Sequence, residues 1–233
     1  MNNTKKILLD IESYPALEII DAQKIYKNKF QDISESAFHK AMSRMTKEGL
    51  LHRMGKGIYC RASYGKFGKR IAGEKDIISY YIGKNRNQGV IFGYRMYNRY
   101  GITTQVSKTV EIYSKNTLKD KRKLNNVTIH KLDLRFDIQT IRIIELMDVI
   151  QNCREIEELN RENFLLFVKN SIEFYDEKVL KKLMNKIKYK KSTLASLKNI
   201  LDYYQIENTV GQYLSKTSRY SSICMEELYE KAS

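Results

Sequence analysis

Cationic and hydroxyl side chains recur at helical spacing between Ser34 and Lys47. Arginine and lysine can bind the N7 and O6 atoms of guanine, and short serine side chains let a helix approach base edges closely. The apolar residues of the same stretch, among them Phe38 and Met45, fall on the opposite face and would pack against a core. The pattern therefore predicts a helix that presents one face to the major groove of duplex DNA.

A hairpin with a basic tip is predicted after this helix. Two short runs of alternating apolar residues flank Gly55-Lys56-Gly57, and glycines supply the positive φ that a tight turn needs. Cations here would bind phosphates, which set register and affinity, whereas base contacts set specificity. The predicted DNA-binding residues are Ser34, Ser36, Lys40, Ser43, Arg44, Lys47, Arg53, Lys56 and Arg61. A solvated basic face and a protein-interaction module stay open as alternatives.

The sequence offers little for catalysis or for metal binding. Its three histidines, His39, His52 and His130, form no HxxxH or HExxH spacing. Glu111 and Lys115 lie close together near a predicted strand, as acids and lysines do in nucleases, but the Asp/Glu-x-Lys spacing is missing. We therefore expect no catalytic residue, no metal and no cofactor, and we keep a magnesium-dependent nuclease acting through Glu111 as the open alternative.

The charge of the chain indicates a polyanionic partner. Its 233 residues include 42 Lys and Arg against 27 Asp and Glu, which gives a formal net charge of +15. Nucleic acid is the commonest partner of such a chain, although charge alone does not separate DNA from RNA or from an acidic protein. Residues 151–233 are nearly balanced in charge, so the excess lies in the first two thirds of the chain.

The composition excludes several other classes of protein. An apolar fraction of 42% can form a sizeable core, which argues against a disordered chain. No run approaches the roughly 18 apolar residues that cross a bilayer, and the segment before Asp10 is too short for the core of a signal peptide. The cysteines are odd in number and show no disulfide framework. We therefore expect a reduced cytoplasmic protein without a membrane partner.

The elements that must position the DNA-binding residues can be located from caps and breaks. Thr4–Ser13 has helical spacing and ends before Pro15, because proline disfavours helical geometry in the residue that precedes it. Asp21 and Ser34 are good N-caps for a second and a third helix. Three short helices followed by a hairpin with a basic tip are the order of a winged helix-turn-helix.

The middle of the chain is predicted to mix helices and strands. Helical spacing extends over 73–87 and 89–100, and strand-like alternation over Thr109–Ser114 and Asn126–Leu134. The strongly basic segment 115–124 between the two strands is predicted to be a loop, either a solvated turn or a secondary nucleic-acid contact. Apolar residues at helical spacing fill the remainder of the chain, which is therefore predicted to be helical.

A boundary is predicted at Tyr64–Gly73, which is basic, contains three glycines and lacks helical spacing. Such a segment is either a solvated connector or a connector that also contacts phosphate. We therefore predict an α+β fold with a winged helix-turn-helix at 1–70 and a second domain at 71–233. That second domain is expected to be mixed α/β at about 74–135 and helical at about 136–233.

Two segments carry a resemblance to a known family. Residues 34–61 combine a helix that starts at a serine with a hairpin strand reading Gly-Ile-Tyr at Gly57–Tyr59. Tyr100–Gln105 reads Tyr-Gly-Ile-Thr-Thr-Gln and precedes a predicted strand. These segments resemble the AbiEi-type antitoxins of bacterial type IV toxin–antitoxin, or abortive-infection, systems. The chain departs from that family at Ala62, where the family has a proline after the wing.

The resemblance implies a function in phage defence. A member of this family represses its own operon by binding inverted repeats in double-stranded promoter DNA. The resemblance also implies that residues 71–233 form an antitoxin domain, which counteracts a nucleotidyltransferase-like toxin encoded nearby without necessarily forming a stable complex with it. A stand-alone winged-helix regulator with no toxin partner is the alternative.

Overall fold

The computed structural model describes residues 3–215, 217–223, 225 and 230. Both helices and strands occur in this part of the chain, so the fold is α+β, as predicted. None of the described helices is both long and apolar enough to cross a membrane. Cys60 and Cys153 are free thiols, and Cys224, the third cysteine, lies outside the described residues.

The N-terminal part contains three helices and three short strands. In chain order these are α1 (Asn3–Glu12), β1 (Ile19–Asp21), α2 (Ala22–Lys29), α3 (Glu35–Lys47), β2 (His52–Gly55) and β3 (Ile58–Cys60). The strands form one antiparallel sheet in the order β1-β3-β2. The helices pack on a cluster of buried residues that includes Ile7, Ile25 and Phe38.

Local capping chemistry explains where these helices begin and end. Asp21 accepts hydrogen bonds from the backbone N–H groups of Gln23 and Lys24, and Ser34 accepts one from Ala37, which confirms both predicted N-caps. The chain leaves α3 at Gly49 with φ of +80°, a conformation that glycine adopts without strain. The three-residue strand β1 was not predicted, because it is too short to show any periodicity.

The middle part contains a separate hairpin and a four-stranded sheet. Its elements are β4 (Ser63–Gly65), β5 (Gly68–Arg70), α4 (Glu74–Ile82), β6 (Gly89–Phe92), α5 (Tyr94–Arg99), β7 (Val110–Ser114), β8 (Lys121–Leu124) and β9 (Val127–Lys131). The sheet order is β6-β7-β9-β8, in which β7 and β9 run parallel and the other neighbours are antiparallel. The strands β4 and β5 pair only with each other within the described residues.

Two predictions for this region were wrong. The segment 89–100, predicted as one helix, is strand β6 followed by α5. Gly89 allows β6 to pair closely with β7, since a Cβ atom at this position would lie only 2.5 Å from the carbonyl oxygen of Tyr113. The predicted loop 115–124 contains the edge strand β8. The predicted connector at 64–73 is not helical, as expected, and it contains the exposed hairpin β4–β5, which the sequence did not predict.

The C-terminal part is helical, as predicted. It comprises α6 (Ile138–Asn152), α7 (Arg161–Ile172), α8 (Glu177–Met184), α9 (Lys191–Tyr203) and a 3₁₀ turn at Val210–Tyr213. The Tyr100–Gln105 motif joins this part to the sheet, because Ile102 is fully buried in the helical core and the Thr103 hydroxyl donates to the carbonyl oxygen of Glu157 at 2.6 Å.

A third hydrophobic cluster joins the N-terminal sheet to the middle part. Ile19 and Ile58 from the N-terminal sheet pack with Ile77 from α4 and with apolar residues of β7, β8 and β9. The contact between β2 and β8 is close, since a Cβ atom at Gly55 would lie 2.8 Å from Cδ2 of Leu124. This packing sets the basic segment 115–124 beside the β2–β3 hairpin.

Candidate nucleic-acid interface

One face of α3 is exposed and carries the predicted DNA-binding side chains. Ser36, Lys40, Ser43, Arg44 and Lys47 are all exposed. The buried residues of the same helix are Phe38, Ala41, Met42 and Met45. The apolar face therefore packs on the N-terminal core while the cationic and hydroxyl face points to solvent, as the helical spacing predicted.

The cations of this face are not neutralised by neighbouring acids. Lys40, Arg44 and Lys47 form no ion pair and no side-chain hydrogen bond with any described residue, whereas His39 lies 3.5 Å from the carboxylate of Glu35. Unpaired cations that share one surface create a positive potential that attracts a polyanion. The face is therefore electrostatically suited to bind phosphate.

A cleft of about 540 Å³ separates α3 from the β2–β3 hairpin and from the segment that leads into β8. Its cationic lining consists of Lys47, Arg53, Lys56, Lys119 and Arg122. Ser43 lies on the helix side of the cleft, and Asp21 and Glu35 are the acids that line it. The structure thus brings four of the predicted residues together and adds two cations from the middle part of the chain.

A buried ion pair lies at the base of the cleft. Nη1 of Arg122 is 3.6 Å from Oδ2 of Asp21, and their side chains are only 7% and 1% exposed. Neither of these two atoms has a hydrogen-bond partner among the described residues. Asp21 uses its other oxygen to cap α2, so the pair links the helix before α3 directly to the edge strand β8.

A second polar contact strengthens the same link. The Lys24 ammonium on α2 donates to the carbonyl oxygen of Asn116 at 2.7 Å, and Asn116 donates through its side-chain amide to the carbonyl oxygen of Tyr80. Burial lowers the pKa of Lys24 below its ordinary value, while the nearby carboxylate of Asp21 opposes this shift. These bonds hold the segment 115–119 against α2.

Three of the predicted residues have hydrogen-bond partners in the chain. Nε of Arg53 donates to the carbonyl oxygen of Gly55 at 3.3 Å within the hairpin. Nη1 of Arg61 donates to the carbonyl oxygens of Glu12 and Tyr14 at 2.6 and 2.7 Å, which satisfies backbone groups at the end of α1. Arg61 does not line the cleft. Ser34 caps α3 through its hydroxyl oxygen, although it is exposed. The structure therefore does not bring Arg61 together with the cations of the cleft.

The residue considered for a nuclease, Glu111, lies on the four-stranded sheet. Its carboxylate is 2.5 Å from Nε2 of His130 on the neighbouring strand β9. The rings of Phe92 and Tyr113 stack beside this pair with centroids 4.2 Å apart. Within the described ranges, no three His, Cys, Asp or Glu side chains are grouped so that they could hold a metal ion.

Lys119 and Arg122 could not be identified individually from the sequence. Both lie in the basic segment 115–124, for which a secondary nucleic-acid contact is one of the two predicted roles. The density of lysine in 115–124 was the available signal. The side to which each residue points could not be read from it, because that depends on the pairing of β8 with β9. In the structure Arg122 points into the molecule, whereas Lys121 and Lys123 are exposed.

Comparison with known proteins gives little further information. No protein-family model matches this chain, and no curated protein matches it at a significant level. Among solved structures, the RV2827C protein from Mycobacterium tuberculosis is similar with a TM-score of 0.40 and 10% sequence identity. That superposition covers 85% of this chain and 75% of the other. A likeness at this level does not identify a function.

Proposed function

We propose that this protein binds double-stranded DNA through an N-terminal winged helix-turn-helix. In this proposal α3 is the recognition helix in the major groove, and the β2–β3 hairpin is the wing that contacts the adjacent backbone. The order of elements from α1 to β3 and the sheet order β1-β3-β2 support it. The observation that carries it is that Ser43 and Lys47 of α3 face Arg53 and Lys56 of the hairpin across a single cleft. Lys40 and Arg44 lie on the exposed face of α3 outside that cleft.

The positions of the side chains indicate which of them would contact bases and which would contact phosphates. Ser43, Arg44 and Lys40 lie on the exposed face of α3, where they would reach base edges. Arg53 and Lys56 are exposed on the hairpin and would bind phosphates, so they would position the helix without reading sequence.

The salt dependence of binding tests this proposal. If two copies make about six phosphate contacts in all, the logarithm of the association constant should fall with the logarithm of salt concentration with a slope near −5. The measurement is a titration of a labelled duplex with the full chain at several salt concentrations. A flat response would contradict binding through these cations.

We further propose that the protein is the antitoxin of a type IV toxin–antitoxin system, which represses its own promoter and counteracts a nucleotidyltransferase-like toxin. This part rests on the resemblance of residues 34–61 and of Tyr100–Gln105 to AbiEi-type antitoxins. The stand-alone regulator shares the same DNA-binding surface and differs only in having no toxin to oppose.

Co-expression distinguishes the antitoxin from the stand-alone regulator. If a gene for a nucleotidyltransferase-like protein adjoins this one, its expression alone should arrest growth, and expression of this chain from a second, unrelated promoter should restore it. The unrelated promoter removes repression as a cause of the rescue. Growth arrest that persists in the presence of this chain would contradict the antitoxin proposal and leave the DNA-binding proposal standing.

A further inference from the structure

The hairpin β4–β5 exposes two aromatic rings to solvent. Tyr64 is 72% exposed and Phe67, at the tip, is 105% exposed. All residues from 64 to 71 are exposed, and the two strands pair with no other strand of the described chain. A two-stranded hairpin is marginally stable by itself, and exposed large apolar side chains mark contact surfaces. The hairpin β4–β5, called the arm below, therefore has the exposed aromatic surface of an element that contacts another molecule.

The base of this hairpin is held in place. Arg61, two residues before β4, is fixed by its hydrogen bonds to the end of α1. On the other strand, Nη2 of Arg70 lies 3.8 Å from Oδ2 of Asp76 on α4, and Ala72 is buried in the core that joins the two parts of the chain. The tip thus projects from an anchored base.

The positive charge of the hairpin favours a polyanionic partner. Lys66, Lys69 and Arg70 lie on it, and no acid occurs anywhere between Arg61 and Gly73. The register sets Tyr64 directly opposite Lys69, so a ring and an ammonium group share one face of the ribbon. Cations that alternate with exposed rings suit a nucleic acid, which offers phosphates together with flat bases and apolar sugar edges.

The glycines of the hairpin make it narrow behind its tip. Gly65 and Gly68 are directly opposite each other, and a Cβ atom at either position would meet nothing within 4 Å. Gly65 does not have a positive φ, so neither backbone conformation nor internal packing requires glycine there. Because Gly65 and Gly68 have no side chains, the hairpin is narrow next to the Lys66–Phe67 turn. A two-stranded ribbon can enter the major groove of DNA, which is about 12 Å wide.

We propose that the β4–β5 hairpin is a second DNA-binding element, which sets Phe67 in a groove while Lys66 and Lys69 bind the flanking phosphates. The chain runs along β3 away from the tip of the β2–β3 hairpin before it enters β4. The proposal includes that the arm contacts a stretch of DNA separate from the stretch under α3. This inference rests on the proposed function, because the ligand is the same DNA.

The experiment compares two duplexes that share one central sequence. One has about 12 base pairs, little more than a helical turn, and the other has about 40 base pairs. Affinities are measured by fluorescence anisotropy for the wild type and for the Phe67→Ala, Lys66→Ala/Lys69→Ala and Gly65→Leu variants. The control is Lys181→Ala/Lys182→Ala, which removes two exposed lysines from α8. Thermal melting checks that each variant folds, which is expected because the substituted side chains contact little.

On the long duplex, Phe67→Ala should weaken binding about tenfold without changing the salt slope, because it removes an apolar contact in the groove and no charge. The Lys66→Ala/Lys69→Ala variant should reduce the salt slope by about 2. Gly65→Leu should weaken binding because it widens the ribbon. All variants should bind the short duplex like the wild type, and the control should match the wild type on both.

Two outcomes separate this inference from the proposed function. If the hairpin variants bind the long duplex as tightly as the wild type while substitutions on α3 abolish binding, the hairpin inference is wrong and the proposed function survives. If the wild type binds neither duplex, the proposed function itself fails. Equal losses on both duplexes would also overturn the inference, because the arm would then contact the same base pairs as α3.

Discussion

Replacing Arg44 and Lys47 together by alanine is expected to weaken binding to operator DNA about a hundredfold. Arg44 is exposed in the last turn of α3 and forms no ion pair within the described chain, so its guanidinium is free to bind guanine, a contact worth about 1–3 kcal/mol. Lys47 lines the cleft and would add a phosphate contact. Alanine is a strong helix former, so α3 should persist and the loss should reflect DNA contacts.

The measurement is the ratio of affinities for an operator duplex and for a scrambled duplex of equal length. Loss of Arg44 should reduce this ratio, because base contacts carry specificity, whereas loss of Lys47 should weaken both duplexes alike. The matched control is again Lys181→Ala/Lys182→Ala, which changes the net charge by the same amount on a distant helix. If this control weakened binding as much as the α3 substitutions, net charge would explain the effect and the assignment of α3 would be wrong.

Arg122→Ala is expected to have the largest effect on stability. The substitution leaves the carboxylate of Asp21 buried without its cation, and breaking a buried pair in this way costs about 3–5 kcal/mol. For a chain of this length we expect the melting temperature to fall by roughly 10 °C. Thermal and urea unfolding followed by circular dichroism measure the change.

The double variant Asp21→Asn/Arg122→Met tests the cause of that loss. Asparagine caps a helix about as well as aspartate, so α2 should keep its N-terminus, and methionine replaces the arginine with an uncharged side chain of similar length. The double variant should therefore recover much of the stability that Arg122→Ala loses. Unfolding of Arg122→Ala at the wild-type temperature would show that the pair contributes nothing.

The N-terminal helices and the β2–β3 hairpin could be predicted because their signals are local. Asp21 and Ser34 cap the helices that follow them, and the glycines at 49 and 57 adopt positive φ at the end of α3 and in the hairpin turn. Each signal involves residues within a few positions of one another. A single sequence therefore contains the information that sets these boundaries.

The strands of the middle part depend on partners distant in the chain, so their prediction failed. Residues 89–92 form a strand because they pair with β7, about 20 positions later in the sequence. The short strand β8 forms at the edge of the sheet beside β9. Its sequence, in which lysines alternate with Arg122 and Leu124, is typical of a charged loop when no partner strand is known. Pairing of this kind is set by tertiary packing rather than by local propensity.

The candidate site was predicted in part. The exposed face of α3 followed from helical spacing, and its cations lie where the spacing placed them. The inward direction of Arg122 and the bonds of Arg61 to α1 could not be predicted, because each requires the position of a second element. The same holds for the arm at β4–β5, whose exposure follows from the absence of a described neighbour that covers it.

The shared core between the N-terminal sheet and the four-stranded sheet fixes the orientation of α3 relative to the middle part of the chain. Ile19 and Ile58 pack with Ile77, and β2 lies against Leu124. Because of this packing, α3 cannot rotate freely as a domain on a flexible linker does. If the protein binds DNA as proposed, the relative orientation of two molecules on neighbouring half-sites is therefore set by the helical turn of the DNA between them. Inserting half a turn between the half-sites should turn the two molecules to opposite sides of the duplex.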